Sequence, residues 1–188
     1  MKHRPIPRYL TEHIRLLYSL RHGAINRVVN AVLKARNQGS TIFICGNGGS
    51  ASTASHIACD WSKLNEGLAA SAKKFRIVSI ADNLPLITAY ANDLSYEEIF
   101  IQQLRNLLRK NDVVIGLSVS GNSKNVLRAI DYANRKGCVT IGFVGKRNST
   151  LTKRAKHCLT INNDHFGHVE DIHLLLGHLI KDTLRARQ

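Results

Sequence analysis

Two short stretches of this sequence combine hydroxyl groups and glycines in a pattern suited to holding an anion. The first is Cys45-Gly46-Asn47-Gly48-Gly49-Ser50-Ala51, and the second is Ser118-Val119-Ser120-Gly121-Asn122-Ser123. Glycines let backbone N–H groups come close to a ligand. A helix beginning just after such a turn adds unpaired N–H groups and the positive end of its dipole. Ser50 is placed either to cap that helix or to donate its hydroxyl to a phosphate oxygen. One such turn alone is often only a helix cap. Two at equivalent places in one sheet point to a bound phosphate.

Downstream of the first turn, His56 and Asp60 stand four residues apart, on one face of a helix. A histidine beside a carboxylate can exchange protons with a substrate or ligate a metal, and spacing alone leaves a plain surface hydrogen bond equally open. The C-terminal segment carries Glu170, Asp171, His173 and His178. On an ideal helix His173 and His178 diverge by about 140°, and Glu170 and His178 lie about 12 Å apart along the axis. One metal with bonds of ~2 Å cannot take both Glu170 and His178 from a single continuous helix. Either two subunits supply them, or one of them is not a ligand.

Gly46-x-Gly48-x-x-Ala51 also fits the dinucleotide fingerprint. That scheme wants an acidic residue about 20 positions further on, at the end of the next strand. Here the next strand ends at Asp82, which is too distant, and the second serine turn has no role in it. Nicotinamide binding is therefore set aside.

Five apolar runs precede or follow these turns: Thr41–Cys45, Phe75–Ile80, Val113–Ser118, Val139–Val144 and Cys158–Ile161. Most are continuous rather than alternating, which suits parallel strands covered on both faces. Helical segments are expected between them, at about 50–64, 84–108, 123–136 and 149–156, with a last helix at about 168–186. This alternation predicts a doubly wound, five-stranded parallel α/β sheet of the flavodoxin-like kind. Both turns then fall at carboxyl ends of strands, where such sheets bind ligands. Ahead of the first strand, residues 8–37 carry Leu10, Ile14, Leu17, Ile25, Val28, Val32 and Leu33 near one stripe, closed by Gly39. This predicts one 30-residue helix, as an extension over 1–39 that covers the sheet or builds an oligomer interface. The whole chain, 1–188, reads as one domain.

The composition agrees. The chain is 44% hydrophobic, enough for a sizeable core, and no apolar run approaches a membrane span. Residues 1–8 lack an apolar stretch, so no secretory leader is expected. The four cysteines have no C-x-x-C spacing and suit a reducing cytoplasm. The formal charge is +14, with eight Lys/Arg against one Glu in residues 1–36, and seven Lys/Arg without an acid from Arg135 to Lys156. Such an excess attracts phosphorylated metabolites or nucleic acid, or simply solvates the surface.

Gly46-Asn-Gly-Gly-Ser-Ala followed by His56, Ser118-Val-Ser-Gly-Asn-Ser followed by Asn125-Val-Leu, and Val169-Glu-Asp-Ile-His-Leu-Leu-Leu-Gly-His178 resemble the sugar-isomerase (SIS) domain. The resemblance is to its phosphoheptose isomerase branch, and Ser79-Ile-Ala-Asp82 and Ala91-Asn92-Asp93 extend it over nearly the whole chain. It implies aldose–ketose interconversion of sedoheptulose 7-phosphate through an enediol, with Asp60 as base and His178 as acid. It implies phosphate contacts from Ser50, Ser118, Ser120 and Ser123, with Asn47, Gly48, Gly49, Asp82, Val119 and Glu170 around the substrate. It implies zinc on His56, Asp60, Glu170 and His178, and a homotetramer whose sites lie between subunits. Some members instead act without catalysis, as partners of the replication initiator, and the charge leaves that alternative open. Four positions depart from the family pattern. Asp60 stands for a glutamate, Glu170 for a glutamine and Val119 for a threonine, and Gly145-Lys-Arg-Asn-Ser149 lacks a double glycine.

Overall fold

The structure, a computed structural model, describes residues 5–187. Five strands, β1 (Thr41–Cys45), β2 (Arg76–Ser79), β3 (Val113–Ser118), β4 (Val139–Val144) and β5 (His157–Thr160), form one sheet in the order β2-β1-β3-β4-β5. Every pairing is parallel. β1, β3 and β4 span the expected residues, whereas β2 loses one residue at each end and β5 begins one residue early. The order reverses between β1 and β3, which is the switch point where sheets of this kind bind ligands.

Alternate strand residues feed two separate cores. Ile42, Ile44, Val113, Ile115, Ile141 and Phe143 join helices α2 (His22–Gln38), α3 (Gly49–Ser62) and α8 (Phe166–Arg185) on one face. Phe43, Cys45, Val114 and Val144 join α5 (Ile101–Leu107) and α6 (Lys124–Arg135) on the other. The period of two along each strand, with both faces covered, explains the continuous apolar runs. Two shorter helices, α4 (Leu84–Asp93) and α7 (Thr150–Arg154), complete the winding.

Two expected helices are broken. The 30-residue N-terminal helix is in fact α1 (Pro5–Tyr18) and α2. Ser19 donates its hydroxyl back to the Leu16 carbonyl at 2.7 Å, and Arg21 turns extended at φ −89°, ψ 100°. A serine hydroxyl that competes for a helix carbonyl in this way favours a break. α2 ends as expected, with Gly39 in the left-handed region at φ 69°. The segment 84–108 breaks after Asp93, where Ser95 becomes extended and a short 3₁₀ turn, Tyr96–Glu98, precedes α5. That break sends Tyr96 to the first glycine turn, as described below.

α1 buries only Leu16. Ile6, Leu10, Ile14 and Tyr18 on it are exposed. All four cysteines are free, and burial pushes the Cys45 thiol up to about 12. No helix among the described residues is long and apolar enough to cross a membrane.

Candidate active site

The two turns meet. Asn47 and Ser50 from the β1 turn, and Ser118, Val119, Ser120 and Ser123 from the β3 turn, line one hollow of about 90 Å³ that Phe166 and Glu170 close. That volume equals about three waters at ~30 Å³ each, the scale of a phosphate group. Ser118 Oγ lies 3.0 Å from Ser123 Oγ and 3.5 Å from Ser120 Oγ, so three hydroxyls cluster. Ser123 is the N-cap residue of α6 and Gly48 that of α3, yet neither places a side-chain hydrogen bond on its helix. The first N–H groups of a helix have no partner within it. The amino ends of both helices therefore lie beside the hollow, with Asn125 Oδ1 accepting from one α6 amide, that of Val126, at 2.9 Å.

Asn47 is held by reciprocal bonds with Asn125, at 2.9 and 2.8 Å, and accepts from the Tyr96 hydroxyl at 3.0 Å. Neither Asn125 nor Tyr96 was marked as a site residue by its sequence spacing. Asn125 stood within the quoted Asn-Val-Leu motif, so its signal was present. Tyr96 lay inside a segment read as continuous helix, which hid it. Gly48 adopts φ 54°, a conformation that disfavours a side chain. A Cβ on Gly49 would sit 2.3 Å from the Glu170 carboxylate, so this glycine leaves room for that side chain against the amino end of α3. Asp82 does not line the hollow. It accepts from Ser79 Oγ at 2.8 Å and also bonds Ser55 Oγ on α3.

A second cluster lies further along α3. His56 Nε2 is 2.9 Å from His178 Nε2, and Asp60 Oδ2 is 3.6 Å from His56 Nε2 and 3.5 Å from His178 Nε2. The packing of α3 on α8 creates this arrangement. Trp61, fully buried, donates its indole N–H to the Gly177 carbonyl at 2.9 Å. A Cβ on Gly177 would lie 2.6 Å from Ile57 Cγ1, so the helices touch where a side chain is missing. Their close approach carries His178, one residue on, to His56.

Lys181, a residue that sequence reasoning missed, reaches Asp60 Oδ2 at 3.1 Å. It lies three positions beyond His178, a spacing that puts both on one face of α8. Burial works to raise the Asp60 carboxyl. The Lys181 hydrogen bond and charge, with the nearby imidazoles, outweigh it and hold Asp60 below its ordinary value. Glu170 is not in this cluster within one chain, in line with the spacing on α8. Two imidazole nitrogens and one carboxylate oxygen, all within 4.8 Å of one another, are a donor set that zinc accepts at ~2.0–2.2 Å.

This helix joint gives a first prediction. Gly177→Ala forces Ile57 or α8 to move, an overpacking cost of about 1–3 kcal/mol. Helix propensity returns about 1 kcal/mol. The variant is expected to melt lower than the parent, read by thermal denaturation. A melting point above the parent's would show that the contact is not tight.

The comparisons with known proteins agree with this geometry. The family model described as SIS domain matches residues 8–145. A phosphoheptose isomerase of Thermodesulfovibrio yellowstonii is 34% identical over 160 residues, covering 83% of this chain and 76% of that protein. One of Helicobacter pylori is 38% identical over 148 residues, covering 79% and 75%. The solved phosphoheptose isomerase from Neisseria gonorrhoeae superposes with a TM-score of 0.88 at 24% identity, over 96% of this chain and 97% of that one. With two serine turns at the switch point of its sheet and these relatives in sequence, the chain belongs to the phosphoheptose isomerase family of SIS-domain proteins.

Proposed function

We propose that the chain isomerises sedoheptulose 7-phosphate to a manno-heptose 7-phosphate. The observation that carries this reading is that α3 links a phosphate-sized hollow at its amino end to the His56–Asp60–His178 cluster further along it. The phosphate would rest on Ser50, Ser118, Ser120 and Ser123, positioned by Asn47 and the amino ends of α3 and α6. Asp60, held ionised by Lys181, would take a proton from C1 of the ketose. His178 would give a proton to the C2 carbonyl oxygen, which yields the 1,2-enediol. Asp60 then returns its proton to C2, while the O1 proton leaves to His178, which gives the aldose. Each group ends as it began, so the cycle balances. His56, against His178, orients that imidazole.

His56, Asp60 and His178 would hold zinc, and in that form the metal would polarise the carbonyl oxygen as a Lewis acid in place of the proton that His178 gives in the metal-free cluster. Glu170 lies against Gly49 in the same chain and would complete such a set only from another subunit. The uncovered face of α1, with Ile6, Leu10, Ile14 and Tyr18, supports a homotetramer with sites between subunits. The free thiols support a cytoplasmic location.

The test is incubation of the zinc-loaded protein with sedoheptulose 7-phosphate, with the aldose followed by NMR and bound metal by elemental analysis. Aldose formation at about one zinc per site is expected. Binding of the sugar phosphate without turnover would favour the non-catalytic alternative.

A further inference from the structure

Most of the cations that approach a carboxylate lie away from one surface. Arg15 pairs with Glu12, Arg128 with Glu97 and Glu98, Arg154 with Asp131, and Lys181 with Asp60. Among the described residues no ion pair involves Arg21, Arg27, Lys34, Arg147 or Lys156. These five line two adjoining hollows, each of about 340 Å³, that share Arg27. Neither hollow has an Asp or Glu in its wall. One opens beside β5, an edge strand. The other lies at the amino ends of β3, β4 and β5, opposite the serine turns.

Like charges gathered on a concave wall repel one another and focus a positive potential outward. A solvated surface would spread them. On α2 the lining residues recur every three or four positions, which is one stripe of the helix. From Arg21 to Lys34 that stripe runs about 20 Å at 1.5 Å per residue. A single phosphate cannot span it. Three of the five cations are arginines, whose planar fork pairs with phosphate oxygens in two bonds at once. No Phe, Tyr or Trp lines either hollow, so the aromatic surface on which successive bases would stack is reduced to the single ring of His157. His157 sits among these cations, and burial, with Lys156 and Arg27 beside it, holds its pKa down, so an arriving anion would relieve it.

We propose that the groove between α2 and β5 is a second binding site, for a linear chain of phosphates such as inorganic polyphosphate, separate from the serine turns.

The experiment uses the full chain and a short fluorescent inorganic polyphosphate, read by anisotropy at about 50 and 200 mM salt. Binding that weakens with salt is expected, because released counterions drive it. Arg27→Glu with Lys34→Glu should weaken it by at least about tenfold, given that phosphate neutralisation dominates such affinity. Lys63→Glu with Lys73→Glu changes the net charge equally on the β2 side of the molecule and should leave most of the affinity. If the charge-reversed groove fails to fold, judged by circular dichroism, Arg27→Gln with Lys34→Gln gives the same reading. No binding by the parent, equal loss in both double variants, or no loss in the groove variant overturns the proposal. Tighter binding of a charge-matched oligonucleotide or polyglutamate also overturns it, by assigning the groove to nucleic acid or to an acidic peptide.

Discussion

Asp60→Asn is expected to lower turnover of sedoheptulose 7-phosphate by about 10²–10⁴-fold, the usual worth of a positioned acid or base. Binding of the sugar phosphate should persist, because the serine hollow at the amino end of α3 does not include Asp60. Asn has the same shape but cannot take a proton, and it offers a poorer oxygen both to zinc and to the Lys181 ammonium 3.1 Å away. Calorimetry with the sugar phosphate separates binding from chemistry. Asp60→Glu restores the longer carboxylate of the family pattern and is expected to retain turnover. Full activity in Asp60→Asn would remove this residue from the mechanism. The pH dependence follows from the direction of its shift. Its folded pKa lies below its ordinary value. The stabilisation from its partners is therefore complete above about 3.9 and is lost only as pH falls through the lower folded value. Between about pH 5 and 8 Asp60 stays ionised, so any titration of activity there belongs to other groups.

His173 should dominate the acid sensitivity of the fold. It is fully buried on α8, edge-on to Phe143 at 5.7 Å between ring centres, and neither ring nitrogen has a hydrogen-bonding partner of normal geometry. Burial depresses its pKa from 6.5 to about 3, and the backbone of Val144 pulls only weakly the other way. The unfolded chain therefore binds this proton about three pH units before the native state does. Stability should fall as pH drops from about 6.5 toward 3, at up to about 1.4 kcal/mol per unit. Between pH 7 and pH 5 the loss amounts to about 2 kcal/mol. His173→Leu removes two unpartnered nitrogens that cost about 1–3 kcal/mol. It is expected to melt higher than the parent at pH 7, and the gap should widen by about 2 kcal/mol at pH 5. Parallel melting curves for the two proteins across that range would show that His173 finds a proton partner in solution.

Much of this was legible in the sequence, for identifiable reasons. β1, β3 and β4 stood out because strands covered on both faces must be apolar at every position. The serine turns were visible because few residue types suit a close backbone approach to an anion. The broken helices were hidden. No glycine or proline marks Ser19, and nothing local announces that Tyr96 leaves the helix to reach Asn47. The first break turns on a serine back-bond that an otherwise helical stripe does not announce, and the second is set by the long-range contact of Tyr96 with Asn47, which local pattern does not contain. Lys181 was overlooked because a lysine on a terminal helix reads as solvent-facing until Asp60 is seen beneath it. The spacing between Glu170 and His178 was informative in the opposite sense, since it anticipated that the two do not meet within one chain.

Ser50 and His56 are rungs of one helix, six residues or about 9 Å apart along its axis. Because the Trp61 and Gly177 contacts clamp that helix, its length acts as a fixed gauge. A sugar anchored by its terminal phosphate presents to His56 whichever carbon lies at that reach. Shorter phosphosugars would dock without bringing a carbonyl to the imidazoles. On the proposed reading, chain length is sorted by a backbone dimension.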